Sequence, residues 1–186
     1  MSPAAVKLVR GSNASLSELL PILGTVVVGF GWKVIEGKGP VAEVVPSAIV
    51  CNAAGLALSD EHLVFFNQLA TPDGAVQYVE GDEEQIEVDL AAIPEGVDKI
   101  VFVVYADPDL RQPGNFGAVR NAYFRVCDRS GSELVRYDIE DSSDIDVTAM
   151  IFGEIYRHRD TWKVRAVGQG YKTGLKGVAR DFGVSI

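Results

Sequence analysis

Apolar and polar positions are patterned most clearly between residues 149 and 171. On a first arm Met150, Phe152, Ile155 and Tyr156 carry the apolar mass, and on a second Trp162, Val164, Ala166 and Val167 answer them, with the polar Arg157, His158, Arg159 and Asp160 between. Aromatic and β-branched residues around a polar cluster predict a hairpin rather than a helix, because a pleated backbone lets stiff side chains pack across strands. The second arm has a period of two: Trp162, Val164 and Ala166 lie on one side, Lys163, Arg165 and Val167 on the other, which predicts one buried face. It ends in Gly168-Gln169-Gly170, where glycine permits a positive φ or the close approach of another backbone.

The same pattern predicts strands at residues 6–9, 26–32, 44–51, 63–67, 75–79, 85–90, 100–105, 123–127 and 133–139. Residues 12–20 read as a capped or turn-like entry whose Leu16, Leu19 and Leu20 close one end of the core. Gly29 and Gly31 interrupt an apolar run, which suits a buried strand passing close to another backbone. Pro46 has no N–H to donate, so the strand around it starts at an edge or a bulge. Thr71-Pro72-Asp73-Gly74 and Asp128-Arg129-Ser130-Gly131 are turns between paired strands. Residues 107–116 form the longest polar loop, predicted to run over the surface beside any site. Leu175, Val178, Ala179 and Phe182 recur at helical steps before Gly183, which predicts one short helix over residues 174–182. About ten short strands with little helix predict a mainly β fold, a β-sandwich of two antiparallel-rich sheets with one short C-terminal helix, in a single domain over residues 1–186.

Composition narrows the function. A chain of 186 residues is long enough to bury a core without staples. Its net charge of −9 argues against nucleic-acid binding and favours attraction of cations. No segment is long and apolar enough to span a bilayer, and the first residues lack the apolar core of a signal peptide, so the expected location is cytoplasmic. Cys51 and Cys127 sit in separate apolar runs without metal-ligand spacing, which predicts buried free thiols.

Candidate chemistry is concentrated in two acidic clusters, one at residues 80–84 and one at residues 138–146. A hard cation such as Ca²⁺ needs six to eight oxygen ligands, which a glycine-bent acidic loop supplies, although such runs are also commonly just solvated. Catalytic patterns are not expected. His62 and His158 stand far apart in the chain, the serines lack a nucleophile elbow, and Gly168-Gln169-Gly170 lacks the strand-loop-helix setting of a dinucleotide site. An enzyme would need Glu154, His158 and the loop at residues 107–116 to converge on a pocket. Lys172 and Lys176, near the start of the helix, offer an alternative attraction for an anion.

The run Phe152-Gly153-Glu154-Ile155-Tyr156-Arg157-His158, followed by Trp162-Lys163 and Val167-Gly168-Gln169-Gly170-Tyr171, resembles the tellurium-resistance TerD family of bacterial stress proteins. The likeness extends to residues 26–32, to Phe65-Phe66-Asn67 with Pro72-Asp73-Gly74, to Ile93-Pro94 with residues 99–104, and to Arg136-Tyr137-Asp138. It implies the same sandwich and a role in stress response and tellurite resistance through binding, with calcium as the usual ligand and with protein partners. Calcium-binding members have a longer acidic loop where this chain keeps Gly81-Asp82-Glu83-Glu84. A second acidic element survives as Glu43, with Val45 in place of its second carboxylate. The resemblance therefore implies Glu43, Asp82, Glu83 and Glu84 as the metal candidates, and the losses imply calcium binding that is weakened or lost, since ligand number and charge tune affinity. The alternative function is a metal-independent protein–protein interaction module on the same fold.

Overall fold

The computed structural model describes residues 4–35, 44–80, 85–106, 115–140, 144 and 146–186. In chain order its strands are β1 (Val6–Leu8), β2 (Asn13–Ser15), β3 (Thr25–Val34), β4 (Val44–Cys51), β5 (Leu63–Val64) and β6 (Val76–Val79). They continue with β7 (Gln85–Asp89), β8 (Lys99–Ala106), β9 (Val119–Cys127), β10 (Glu133–Asp138), β11 (Ala149–His158) and β12 (Thr161–Tyr171). Helix α1 (Leu16–Leu19) and helix α2 (Gly174–Asp181) complete the set.

The strands form two six-stranded sheets, a front sheet in the order β1-β10-β9-β3-β7-β6 and a back sheet in the order β2-β12-β11-β8-β4-β5. Every pairing is antiparallel except that of β1 with β10. The sandwich with one C-terminal helix agrees with the expected fold class. Twelve strands replace the expected ten or so because β2 and the split between β1 and β2 carry little apolar signal.

The inner faces meet in an aromatic cluster. Phe30, Phe102, Phe124 and Phe152 come from both sheets, with ring centroids 5.5–6.2 Å apart in tilted contacts. Burying each such ring stabilises the fold by about 1.5–3 kcal/mol. A register shift between Ile151 and Gly153 lets Phe152 and Ile155 both reach this core.

The central strands of the back sheet are buried on both faces, whereas β12 buries one, with Trp162, Val164 and Ala166 inside and Arg165 exposed, as its alternation predicts. The outer face of the sheet carries Ile49, Val101, Val103, Tyr105, Ala149 and Ile151, and α2 covers them with Leu175, Val178 and Ala179, while Val167 and Tyr171 of β12 pack against the same cluster. The unbroken apolar run of β8 follows from having a core on each side.

Residues 9–12 carry the chain from the edge of one sheet to the edge of the other. Gly11 N–H donates to the Ala166 carbonyl, Ala166 N–H donates to the Ser12 carbonyl, and the Arg10 guanidinium donates to the Gly168 carbonyl at 2.6 Å. The expected entry at residues 12–20 is α1, capped by Ser15 and anchored by the fully buried Leu16. Pro46 lies in the part of β4 that pairs only with β8, because β5 reaches no further than Ala48 and Ile49.

Candidate functional site

The four metal candidates read from the sequence, Glu43, Asp82, Glu83 and Glu84, lie outside the described residues, as do residues 107–114 of the long polar loop. The strand ends that flank them are described, and they share one end of the sandwich. β3 finishes there at Val34, β4 starts at Val44 opposite Ala106, and β9 starts at Val119 opposite Val34. β7 enters at Gln85 opposite Gly29, which sets the β6–β7 connection beside the last residues of β3. β11 starts at Ala149 opposite Tyr105, so the β10–β11 connection reaches the same end. The connections that hold Glu43 and that hold Asp82, Glu83 and Glu84 therefore leave from one end although about forty residues separate them in sequence.

Described groups at this end are tied to one another. Asp146 N–H donates to the Asp144 carboxylate at 2.8 Å, Phe116 N–H donates to the Val147 carbonyl at 2.9 Å, and Lys172 approaches Asp146 at 3.9 Å. Lys172 thus meets a carboxylate in place of the anion considered for it. Among the described residues no group of three or more His, Cys, Asp or Glu side chains is placed to hold a metal ion.

Glu154, His158 and the described end of β8 from which the loop at residues 107–116 departs are not brought together. Ala149 pairs with Tyr105, and His158 stands nine residues further along β11, roughly 30 Å at the rise of a strand. His158 is exposed at the far hairpin, whose turn holds Arg159 at φ +58°. His62 accepts or donates one contact to Ser59 Oγ at 2.7 Å. Glu154 is buried on the outer face of the back sheet, where Arg165 donates to it at 3.1 Å and Lys99 pairs with it at 3.7 Å. Arg165 also lies 4.5 Å over the Tyr156 ring. The carboxylate is held by strands on both sides, an arrangement that ties β8, β11 and β12 together. Pairing of this kind is invisible in sequence because it depends on register.

Both thiols are buried and unpaired with each other. Burial pushes the Cys51 thiol up to about 12, against a smaller opposing effect of the nearby Lys99 ammonium.

The TerD domain family matches residues 4–182. Over 97% of its length the chain is 37% identical to the tellurium resistance protein TerD of Serratia marcescens, covering 98% of that protein. It is 36% identical to general stress protein 16U of Bacillus subtilis, again over 97% of this chain and 98% of the relative. The chain belongs to the TerD family. A solved structure of a homologue of the telluride resistance protein TerD from Streptomyces coelicolor A3(2) shares the fold, with a TM-score of 0.63 at 18% identity over 84% of this chain and 95% of that one.

Most residues that carry the TerD likeness specify the fold. Gly168 adopts φ +66°, and a side chain there would meet the Tyr137 hydroxyl, while one on Gly170 would meet Val147. The close approach expected at Gly29 and Gly31 comes from side chains, not from another backbone: Arg125 lies over Gly29, and the Tyr123 ring covers Gly31. Asp73 accepts from Thr71 Oγ1 and from Ala75 N–H, closing the turn with Gly74 at φ +74°. Arg157 stacks 4.4 Å over Trp162 and donates to the Val97 carbonyl, locking the far hairpin to the preceding loop.

Proposed function

We propose that this TerD-family chain is a cytoplasmic stress-response protein of the tellurium-resistance type that acts by binding rather than by catalysis, with calcium affinity weakened or lost. The names of its relatives support the general role. The observation that carries the ligand part is the shared end of the sandwich: the connections holding Glu43 and holding Asp82, Glu83 and Glu84 leave from it together. Their oxygen donors suit a hard cation. The chain has fewer of them than the resemblance calls for, and loss of ligand charge and number lowers affinity.

The test is the melting temperature of chelator-treated protein with and without millimolar calcium, with magnesium as control. A site of micromolar affinity would add about 4 kcal/mol under those conditions and raise the melting temperature by several degrees. A calcium-specific rise of that size overturns the weakened-affinity reading; no shift supports it.

A second reading, a metal-independent interaction module, draws on the exposed Leu56, Leu58 and Leu69 in the segments flanking β5. Exposed apolar groups of this kind favour docking of a protein partner. Crosslinking in stressed cells tests it, because replacing the three leucines by serine should abolish any partner that they capture.

A further inference from the structure

Two uncharged loops meet at the end of the sandwich where β3 begins at Thr25 opposite Asp89, the last residue of β7. Residues 20–24 lead from α1 into β3, and residues 90–94 follow β7. Leu90 N–H donates to the Gly24 carbonyl at 3.1 Å, so the loops lie side by side. Neither contains Asp, Glu, Lys or Arg, in a chain of which 23% is charged. The core holds the roots of both: Leu90 is buried, and Leu19, Leu20 and Ile93 pack against the interior cluster. The tips stand out. Ile22 is 83% exposed and Leu23 41%, with Pro21, Ala91, Ala92 and Pro94 exposed beside them.

Polar groups at this tip are met within the chain or missing. Ala91 N–H donates to the Asp89 carboxylate and Ala92 N–H to the Asp89 carbonyl, both at 3.1 Å, and Pro21 and Pro94 have no N–H to satisfy. These donors need no water, which matters where hydrocarbon replaces it. Charged side chains surround the tip without entering it. Glu18, Asp89, Glu95 and Asp98 border the loops, and Asp128, Arg129, Arg157, Arg159 and Asp160 occupy the neighbouring turns, with Arg157 donating to the Pro94 carbonyl at 3.4 Å. Both signs occur and acids outnumber bases, so this end has no attraction for an anionic surface.

The shape selects the occupant. At 83% exposure Ile22 stands proud of the surface rather than lining a groove. Six side chains, four of them Ala or Pro, fall well short of the about 20–30 residues that each side of a standard protein interface uses. An apolar tip inside a ring of charge matches instead the layering of a bilayer, with hydrocarbon beneath polar headgroups. We propose that this end of the sandwich docks on a lipid bilayer, with Ile22 and Leu23 inserted at the boundary between headgroups and acyl chains. The opposite end, where β3 finishes at Val34 and β4 starts at Val44, then points into water. Two aliphatic side chains bury less hydrocarbon than one myristoyl chain, whose binding is itself marginal, so the association is weak and reversible. Being apolar, it is also indifferent to salt.

Flotation with millimolar zwitterionic phosphatidylcholine vesicles, at about 0.01 M and about 1 M salt, tests the proposal. The expected result is a fraction of the protein that floats with the vesicles, equal at both salts and no larger when anionic lipid is added. Ile22→Ser and Leu23→Ser should each lower the bound-to-free ratio by about tenfold, the loss expected for one buried aliphatic side chain. Ile35→Ser, at an apolar position exposed at the opposite end, should leave it unchanged. Circular dichroism checks that each variant folds; should Leu23→Ser lose the fold, Ile22→Ser at the more exposed position decides. A wild type that does not float, flotation that high salt abolishes or that needs anionic lipid, or an Ile22→Ser variant that floats like the wild type overturns the proposal. So does a dimer in sedimentation velocity that Ile22→Ser dissolves, which would give the tip to a second copy of the chain.

Discussion

Gly153 on β11 of the back sheet faces the ring of Phe124 on β9 of the front sheet, so closely that a Cβ at Gly153 would lie 2.8 Å from Phe124 Cε1 and 3.0 Å from the Arg165 carbonyl. One contact is with a ring packed against those of Phe30 and Phe102, the other with backbone, and neither yields easily. Gly153→Ala should therefore destabilise the protein by about 1–3 kcal/mol, the usual cost of overpacking a core. Chemical denaturation measures it. Phe124→Leu in the same chain should recover part of the loss, since residues in contact are energetically coupled.

Glu154 is the only acid of the described residues that is buried. Glu154→Ala leaves Lys99 and Arg165 without their shared carboxylate. Those cations are partly exposed, with side-chain accessibilities of 28% and 44%, so solvent limits the damage. A loss of about 1–2 kcal/mol is expected, and Glu154→Gln should cost less because the amide oxygen still accepts from Arg165. Thermal unfolding of the two variants would show the order.

Cys51 supplies an alkaline dependence. Its thiol is held protonated in the folded chain up to about 12, while the unfolded chain ionises near the ordinary value of 9.0. Above that value the unfolded state binds fewer protons than the native one, so stability falls as pH rises from about 9 to about 12. Cys51→Ala should flatten the fall, measured as denaturation midpoint against pH. Native protein at neutral pH should react with a thiol reagent only as fast as it opens.

Asp128 gives a smaller effect of the opposite kind. Its carboxylate accepts from Ser130 Oγ and from the backbone N–H groups of Ser132 and Ser130, and the Ser130 hydroxyl does most to hold it below the usual range. A depressed acid stabilises above its unfolded value and loses that contribution as pH falls through the folded one. Asp128→Asn should lower the melting temperature slightly at neutral pH and should not at strongly acidic pH.

The alternation of β12 and the unbroken run of β8 were enough to predict strands, because period two and continuous apolarity follow directly from one or two buried faces. The three-residue β2 was not legible, since Asn13, Ala14 and Ser15 carry little apolar signal, whereas the equally short but apolar β1 was. The function of Gly31 was half legible: its smallness announces a close neighbour, but whether that neighbour is backbone or the Tyr123 ring depends on register with β9. The same limit hid the pairing of Glu154 with Lys99 and Arg165. Glu43, Asp82, Glu83 and Glu84 were singled out by resemblance, and topology alone brings their flanks to one end.

The connections at residues 35–43, 80–84, 107–118 and 139–148, which join strands at that end, contain twelve of the chain's 26 acidic residues and two of its 17 basic ones. The remainder, 14 acidic against 15 basic, is close to neutral. The net charge of −9 is accordingly a property of one pole and not of the molecule as a whole. Long-range fields orient an approaching partner by the distribution of charge. A field of this shape draws cations toward the loop-bearing pole and turns that pole away from anions, leaving the rest of the sandwich nearly neutral in its approach to either.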